Sequence, residues 1–462
     1  MPAPEPRAQA SPPGALLAVA VAATALIGAR LWEGDLHQDQ VLYAAVAERA
    51  RTGGDWLHLH FGDDPYWKKP PLMFWAVAAF FELLGPTALA ARLVPAALGV
   101  ATCVLVAALG RRLFGEPAGL LAGLALATTP PFFRNAAALS LDPAVGAGTL
   151  AALLCWLRGV EHGRRRDFVL AGVAFGLVVL AKGTFGLLAP FVLVLWCLTH
   201  GRRRDLASPG VLLSALVATA IFLPWHLEQL RTYGPDFLRV YLGQEVLERA
   251  VGNLELGVKP VSYPLTLLRD AAPWVPSMLL GVWLALRRAR GGDRAARFVL
   301  AWALGYLALI TLSAGQRPQY LLPLYPATSL LAGLGTAALL PAAWTPHLPR
   351  VVAIAFAALG VALCVLPITI HRPRYDALRA LGPLLPPDGT PLVGFRTSLQ
   401  LRAASQLYLG RDLRPRRLPE LRATSDGLVL AERSVAQPLV DAGFVRVHAN
   451  ERYVLLRSPP GS

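Results

Sequence analysis

Residues 39–75 read DQVLYAAVAERARTGGDWLHLHFGDDPYWKKPPLMFW, a run of acids, histidines and lysines placed just after a first apolar stretch. Around it the chain is unlike a soluble protein: of 462 residues, 55% are hydrophobic and 16% charged, and mean hydropathy is +0.48. That composition marks an all-α polytopic membrane protein. The formal charge of +15 could suit nucleic acid, but the arginines fall in short runs between apolar segments, so no nucleic-acid partner is expected. Membrane lipids are the expected surroundings.

Working outward, a helix needs about 20 apolar residues to cross a bilayer. Segments 15–32, 88–110, 117–135, 142–159, 168–182, 184–199, 209–227, 271–287, 297–313, 320–340 and 350–370 qualify, giving about eleven spans. The first reads as a retained anchor rather than a cleaved signal. Segment 71–84 is apolar but short and carries Glu82, so it reads as a helix lying along the membrane surface. Arg111 and Arg112, Arg164 to Arg166, Arg202 to Arg204, and Arg287 to Arg294 then share one side, the cytoplasm by the positive-inside rule. The 33–87 loop, the turn from Arg134 to Asp142, Lys182, the 228–270 loop, the turn from Ser313 to Gln319 and the tail share the other.

The chain divides by pattern into a membrane domain, 1–370, and a tail, 371–462, where strand-like runs at 391–397, 427–431, 444–448 and 452–456 and a helical run at 400–408 predict a small α/β domain. Its Arg411, Arg414, Arg416 and Arg417 read either as a solvated basic loop or as a contact for an anionic lipid surface. Four cysteines, Cys103, Cys155, Cys197 and Cys364, sit in apolar segments without metal or disulfide spacing. No Walker or dinucleotide motif is present, which disfavours a reaction driven by a nucleotide.

Asp39 opens a helical pattern that includes Tyr43, and it is either an N-cap or a carboxylate able to take a proton from an acceptor hydroxyl. Asp142, followed by Pro143, carries the same two readings. Lys69, Lys182, Arg249 and Arg317 stand on the non-cytoplasmic side, either as snorkelling cations or as ligands for a phosphate. His58 and His60 lack metal-site spacing and read as surface residues.

The ordered series DQxxY, GGDW, YWKKPPLMFW, AARLVPA, RNAAALSLDP, LAKGTFGLL, LPWH, PDFLRVYLGQEVLER and SAGQRPQYLLPLYP resembles the aminoarabinose-transferase-like and protein O-mannosyltransferase-like membrane glycosyltransferases of the GT-C fold. The likeness covers roughly residues 30–330. It implies transfer of a sugar from a polyprenyl-phosphate carrier to a lipid, glycan or protein acceptor at the periplasmic face of a bacterial inner membrane. By the same resemblance Asp39 and Asp142 match the family's two acids. Lys69, Lys182 and Arg249 match positions that look like carrier-phosphate binders, and Tyr320 the tyrosine before Leu-Leu-Pro. Arg317, Tyr43 and Tyr66 join them as expected substrate contacts. Gln40, Lys68 and Val246 depart from the family pattern, the last two at positions that bear on metal binding. No cofactor is therefore assigned, and a divalent metal and aminoarabinose are both in doubt. A transporter or flippase of an anionic lipid-linked substrate is the competing reading, though transporters place charge near the bilayer midplane and these acids stand at span ends.

Overall fold

The computed structural model describes residues 14–458 apart from 33, 249–261, 313–316, 366–374, 388–389 and 423–426. Helix dominates, and the described chain falls into two compact units. The first comprises residues up to 31, 67–73 and 92–368; the second comprises 32–66, 74–91 and 369–462.

Six helical stretches among the described residues are long and apolar enough to cross a membrane: Ala88–Phe114, Asp142–His162, Arg165–Thr199, Pro209–Tyr233, Arg294–Leu312 and Pro318–Leu339. Shorter apolar helices include Gly14–Gly28, Glu116–Ala127 and Leu348–Leu363. The count differs from the eleven apolar segments of the sequence because several of those segments are interrupted. Segment 117–135 breaks after Ala127, where Pro130 and Pro131 start a new helix. Segments 168–182 and 184–199 belong to one stretch interrupted by a 3-10 turn at Gly183–Leu187. Segment 271–287 yields the helix Val275–Arg290, with three arginines in its last turn. The chain is a membrane protein: Leu212, Leu216, Leu223 and Leu227 lie outward on the Pro209–Tyr233 helix, an arrangement that lipid tolerates and water does not.

Small residues let the helices approach. A Cβ placed on Gly281 would lie 1.8 Å from the Leu331 carbonyl oxygen, and one on Gly335 would lie 1.9 Å from that of Ser277. Two backbones therefore pack directly, as membrane helices do when dispersion replaces the hydrophobic effect.

In the second unit the helix Asp39–Gly53 packs against Leu399–Leu409. Gln406 fixes the pair: its Nε2 donates to the Ala45 carbonyl at 3.1 Å and its Oε1 accepts from the Gly62 amide at 3.0 Å. Asp35, buried, accepts from the Tyr375 amide at 2.7 Å and from Arg379 Nη2 at 2.6 Å. A short hairpin joins β1 (His60–Phe61) to β2 (Asp64–Pro65). Further on, β3 (Leu392–Phe395), β4 (Arg414–Arg416), β5 (Leu428–Glu432), β6 (Val445–Ala449) and β7 (Tyr453–Arg457) form a sheet of order β4-β3-β5-β7-β6. β3 runs parallel to both β4 and β5, and β7 antiparallel to β5 and β6. Strands β3 and β5 are apolar runs without alternation, as parallel strands covered on both faces require.

Candidate active site

Asp142 is the first residue of the helix Asp142–His162, with Pro143 beside it where a missing N–H costs nothing. Its side chain does not cap that helix. Instead Oδ1 pairs with Lys182 Nζ, and Oδ2 accepts from the Ser140 hydroxyl at 3.1 Å. Of the two readings of Asp142, the cap is thus excluded.

Lys182 is the last residue of the helix Arg165–Lys182, and the chain turns immediately after it at Gly183, whose φ is +62°. A Cβ there would meet the Tyr241 hydroxyl at 2.6 Å, so both the backbone and its neighbour demand glycine. The ammonium also stands 4.3 Å from the centroid of the Phe185 ring. The side chains of Lys182 and Asp142 are 11% and 13% exposed, enough to reach water yet sheltered enough for their charges to act strongly.

The pair adjoins a cavity of about 610 Å³ lined by Lys68, Lys69, Lys182, Tyr241, Tyr306 and Tyr320, with Phe185, Phe191, Leu309 and Ile310 supplying apolar wall. A pocket of that size takes a small organic ligand. Three lysines against hydrocarbon suit an anionic headgroup carrying an apolar chain. Tyr306 donates to the Tyr320 carbonyl at 3.3 Å, bracing the 3-10 turn Pro318–Leu324. Tyr241 lies on a π-helical stretch, Arg239–Glu248, a geometry frequent at functional sites. Its hydroxyl is 3.0 Å from His226 Nε2, while Nδ1 of that ring is 2.8 Å from the Phe222 carbonyl. A carbonyl only accepts, so Nδ1 carries a proton, and when the ring is neutral Nε2 accepts from the Tyr241 hydroxyl. Burial holds the Tyr241 hydroxyl above the ordinary phenol range.

Lys69, Lys182 and Tyr320 are thereby gathered at one cavity, with Asp142 tied to it through Lys182. Arg317 is exposed and absent from the lining; its backbone amide donates to the Tyr263 hydroxyl at 2.9 Å, and that hydroxyl donates to its carbonyl at 3.1 Å. Arg249 and Val246 fall outside the described residues and side chains. Asp39, Tyr43 and Tyr66 fold in the second unit. There Asp39 is exposed at the first position of its helix and makes no cap hydrogen bond, the cap position being Gln38 at φ +48°. Tyr43 and Tyr66 meet the Phe74 ring edge-on, at 5.7 Å and 5.6 Å. His58 Nδ1 lies 3.1 Å from Asp55, and His60 Nδ1 2.9 Å from the His58 carbonyl. No three His, Cys, Asp or Glu side chains converge as a metal site among the described residues.

Sequence reading passed over Tyr241, within the mixed run DFLRVYLGQEVLE, and Tyr306, in an otherwise apolar run, and treated Lys68 only as a departure from a family pattern. A tyrosine isolated within a membrane segment is the signal that could have found Tyr306, because its hydroxyl must find a partner.

A family model described as dolichyl-phosphate-mannose-protein mannosyltransferase matches residues 68–227, which contain Lys68, Lys69, Asp142 and Lys182. An undecaprenyl phosphate-α-4-amino-4-deoxy-L-arabinose arabinosyl transferase from Pseudomonas fluorescens Pf-5 is 28% identical over 305 residues, 64% of this chain and 51% of that protein. One from Edwardsiella ictaluri is 29% identical over 318 residues, 67% and 56% of the two chains. The aligned stretch thus spans about half the length of these relatives. Among solved structures, ArnT from Cupriavidus metallidurans bound to undecaprenyl phosphate superposes with a TM-score of 0.75 at 21% identity, covering 95% of this chain and 97% of that one. The archaeal oligosaccharyltransferase AglB from Archaeoglobus fulgidus, in complex with an inhibitory peptide and a dolichol-phosphate, gives 0.60 at 15% identity over 90% and 69%.

Proposed function

We propose that this chain, which has the GT-C fold of the aminoarabinose-transferase-like and protein O-mannosyltransferase-like enzymes, is a membrane glycosyltransferase using a polyprenyl-phosphate sugar. The observation that carries the reading is the Asp142–Lys182 pair at the edge of a cavity holding two more lysines and an apolar wall. An anionic carrier headgroup is matched by the lysines and its prenyl chain by the hydrocarbon side.

In the reaction the acceptor oxygen bonds to the anomeric carbon as the bond from that carbon to the carrier phosphate breaks. The bonding electron pair leaves with the phosphate, and the acceptor hydroxyl proton passes to a carboxylate. Lys69 and Lys182 stabilise the charge growing on the departing phosphate, which they do best where water is scarce. Asp39 takes the proton or orients the acceptor. Asp142 assists by holding Lys182 at the turn before Gly183. Arg249, Arg317, Tyr320, Tyr43 and Tyr66 complete the substrate contacts within this proposal.

The same proposal includes about eleven spans, a membrane domain over 1–370, a small α/β domain over 371–462, and a site facing the periplasm of an inner membrane, with the arginine-rich loops in the cytoplasm. The acceptor is a lipid, a glycan or a protein. The test uses purified protein in nanodiscs given a polyprenyl-phosphate sugar and candidate acceptors, with products read by mass spectrometry. A glycosylated acceptor and released polyprenyl phosphate are expected. Movement of the intact carrier across a proteoliposome membrane with no covalent product would overturn the reading in favour of transport.

A further inference from the structure

The second unit holds a cleft that the transfer reaction does not use. It measures about 680 Å³ and is lined by Phe395, Arg396 and Thr397 after β3, Pro415 to Glu420 at and after β4, and Pro438 beyond β5. β3 leads through the helix Leu399–Leu409 to β4 on one side, and the chain then crosses to β5 on the other. The strand order therefore reverses at β3, and the cleft lies outside the carboxyl ends of these strands. Open α/β sheets bind ligands at such a switch point because the diverging connections leave a crevice there.

The contents of the crevice select the ligand's charge. Arg396, Arg416 and Arg417 contribute three guanidinium groups against one carboxylate, Glu420. None of the three arginines forms an ion pair among the described residues, whereas their neighbours are committed: Arg414 pairs with Asp63 and lies 3.6 Å from Asp412, and Arg411 donates a hydrogen bond to the Pro386 carbonyl at 2.7 Å. Arg396 is also held at φ +50°, a left-handed conformation uncommon for a residue with a Cβ. Strain of that kind gathers at ligand sites, where the surrounding structure imposes it. Beside it, the buried Thr397 hydroxyl oxygen has no hydrogen-bond partner, although a buried hydroxyl ordinarily finds one.

We infer that this cleft binds an organic phosphate monoester. The arginines grip the phosphate in forked hydrogen bonds, the Thr397 hydroxyl gains its missing partner, and the remaining volume admits the organic group that carries the phosphate. The inference stands apart from sugar transfer, since it concerns residues 395–438 alone.

The test titrates glucose 1-phosphate into the full chain in phosphatidylcholine nanodiscs, read by calorimetry, with glucose as the uncharged control. Saturable binding of the phosphate and none of glucose are expected, and the double variant Arg416→Ala/Arg417→Ala weakens it by at least about tenfold through loss of charge-assisted hydrogen bonds. Thr397→Val, which keeps the shape and removes the hydroxyl, gives a smaller loss. Repeating the titration in nanodiscs containing phosphatidic acid separates the sources: competition identifies a lipid headgroup as the occupant, and unchanged binding a soluble or glycan phosphate. Equal affinity in the double variant, or no binding by the intact chain, would overturn the inference.

Discussion

Asp39 and Asp142 both occupy the first position of a helix, both precede an apolar run, and neither caps its helix, yet their surroundings differ in every other respect. Asp142 is sheltered and committed, one oxygen to Lys182 and the other to Ser140. Asp39 is exposed and its carboxylate has no partner among the described residues. An acid fixed by a cation and a hydroxyl is suited to hold geometry; an acid without partners is suited to accept a proton from something that arrives. The contrast sharpens further four residues upstream, where Asp35 is buried and paired with Arg379 and the Tyr375 amide. Three acids near helix starts thus stand in three different surroundings.

The most severe test of that division is Asp39→Asn. If this acid takes the acceptor proton, transfer should fall by about 10²- to 10⁴-fold, with thermal unfolding unchanged because no contact is lost. Full transfer by the variant would move the proton to another group. Second in size is the pair itself. Lys182→Ala leaves the Asp142 carboxylate sheltered without its cation, and removing one partner of a buried pair costs about 3–5 kcal/mol, an upper bound here because both side chains retain some exposure. Asp142→Asn/Lys182→Met should recover most of that stability in denaturation of the detergent-solubilised chain while transfer stays low. If the double variant were as active as the parent, the pair would be scaffold only.

Third, Asp35→Asn should destabilise by about 1–3 kcal/mol, the cost of weakening charge-assisted hydrogen bonds at a buried site, with transfer per folded molecule unaltered. An activity loss exceeding the loss of folded protein would bring Asp35 into the reaction. The smallest effect concerns Asp55. Partial burial alone would raise its pKa, but the His58 and Leu57 amides and the His58 ring outweigh that and hold it below the ordinary carboxylate value. A depressed carboxylate contributes stability above its unfolded pKa and loses it as pH falls through the folded one. Asp55→Asn should therefore lower stability slightly at neutral pH, leave it nearly unchanged at pH below the folded pKa, and so flatten the acid limb of a stability-against-pH curve. An unaltered acid limb would remove this role.

How far the sequence revealed this arrangement varied with the kind of signal. Lys69 and Lys182 were legible because cations on the side that the sequence reading takes as sparsely basic are anomalous, whereas Tyr320 was legible only through the family resemblance. The GT-C fold was legible from an ordered series of short motifs rather than from one of them. Span number was less so: hydropathy registers apolar length but not the breaks at Thr128–Thr129 and Gly183, where backbone geometry changes inside an unbroken apolar run. Asp35 could not be singled out, since its partners stand more than 300 residues away at Tyr375 and Arg379. Tyr241 was hidden similarly, its role depending on a ring from the helix before it and a glycine from an earlier turn.

That glycine has a consequence for how the protein can change over time. With φ at +62° and the Tyr241 hydroxyl filling the place of a side chain, position 183 admits no other residue without moving Lys182 or Tyr241. Mutation can reshape the apolar wall one methyl group at a time and so adapt the cavity to a ligand of different shape. The cation at its edge has no such latitude: replacing the glycine shifts the lysine, whatever substrate the wall has come to favour. Variation of the wall and preservation of the cation are in this way assigned to different parts of the same pocket.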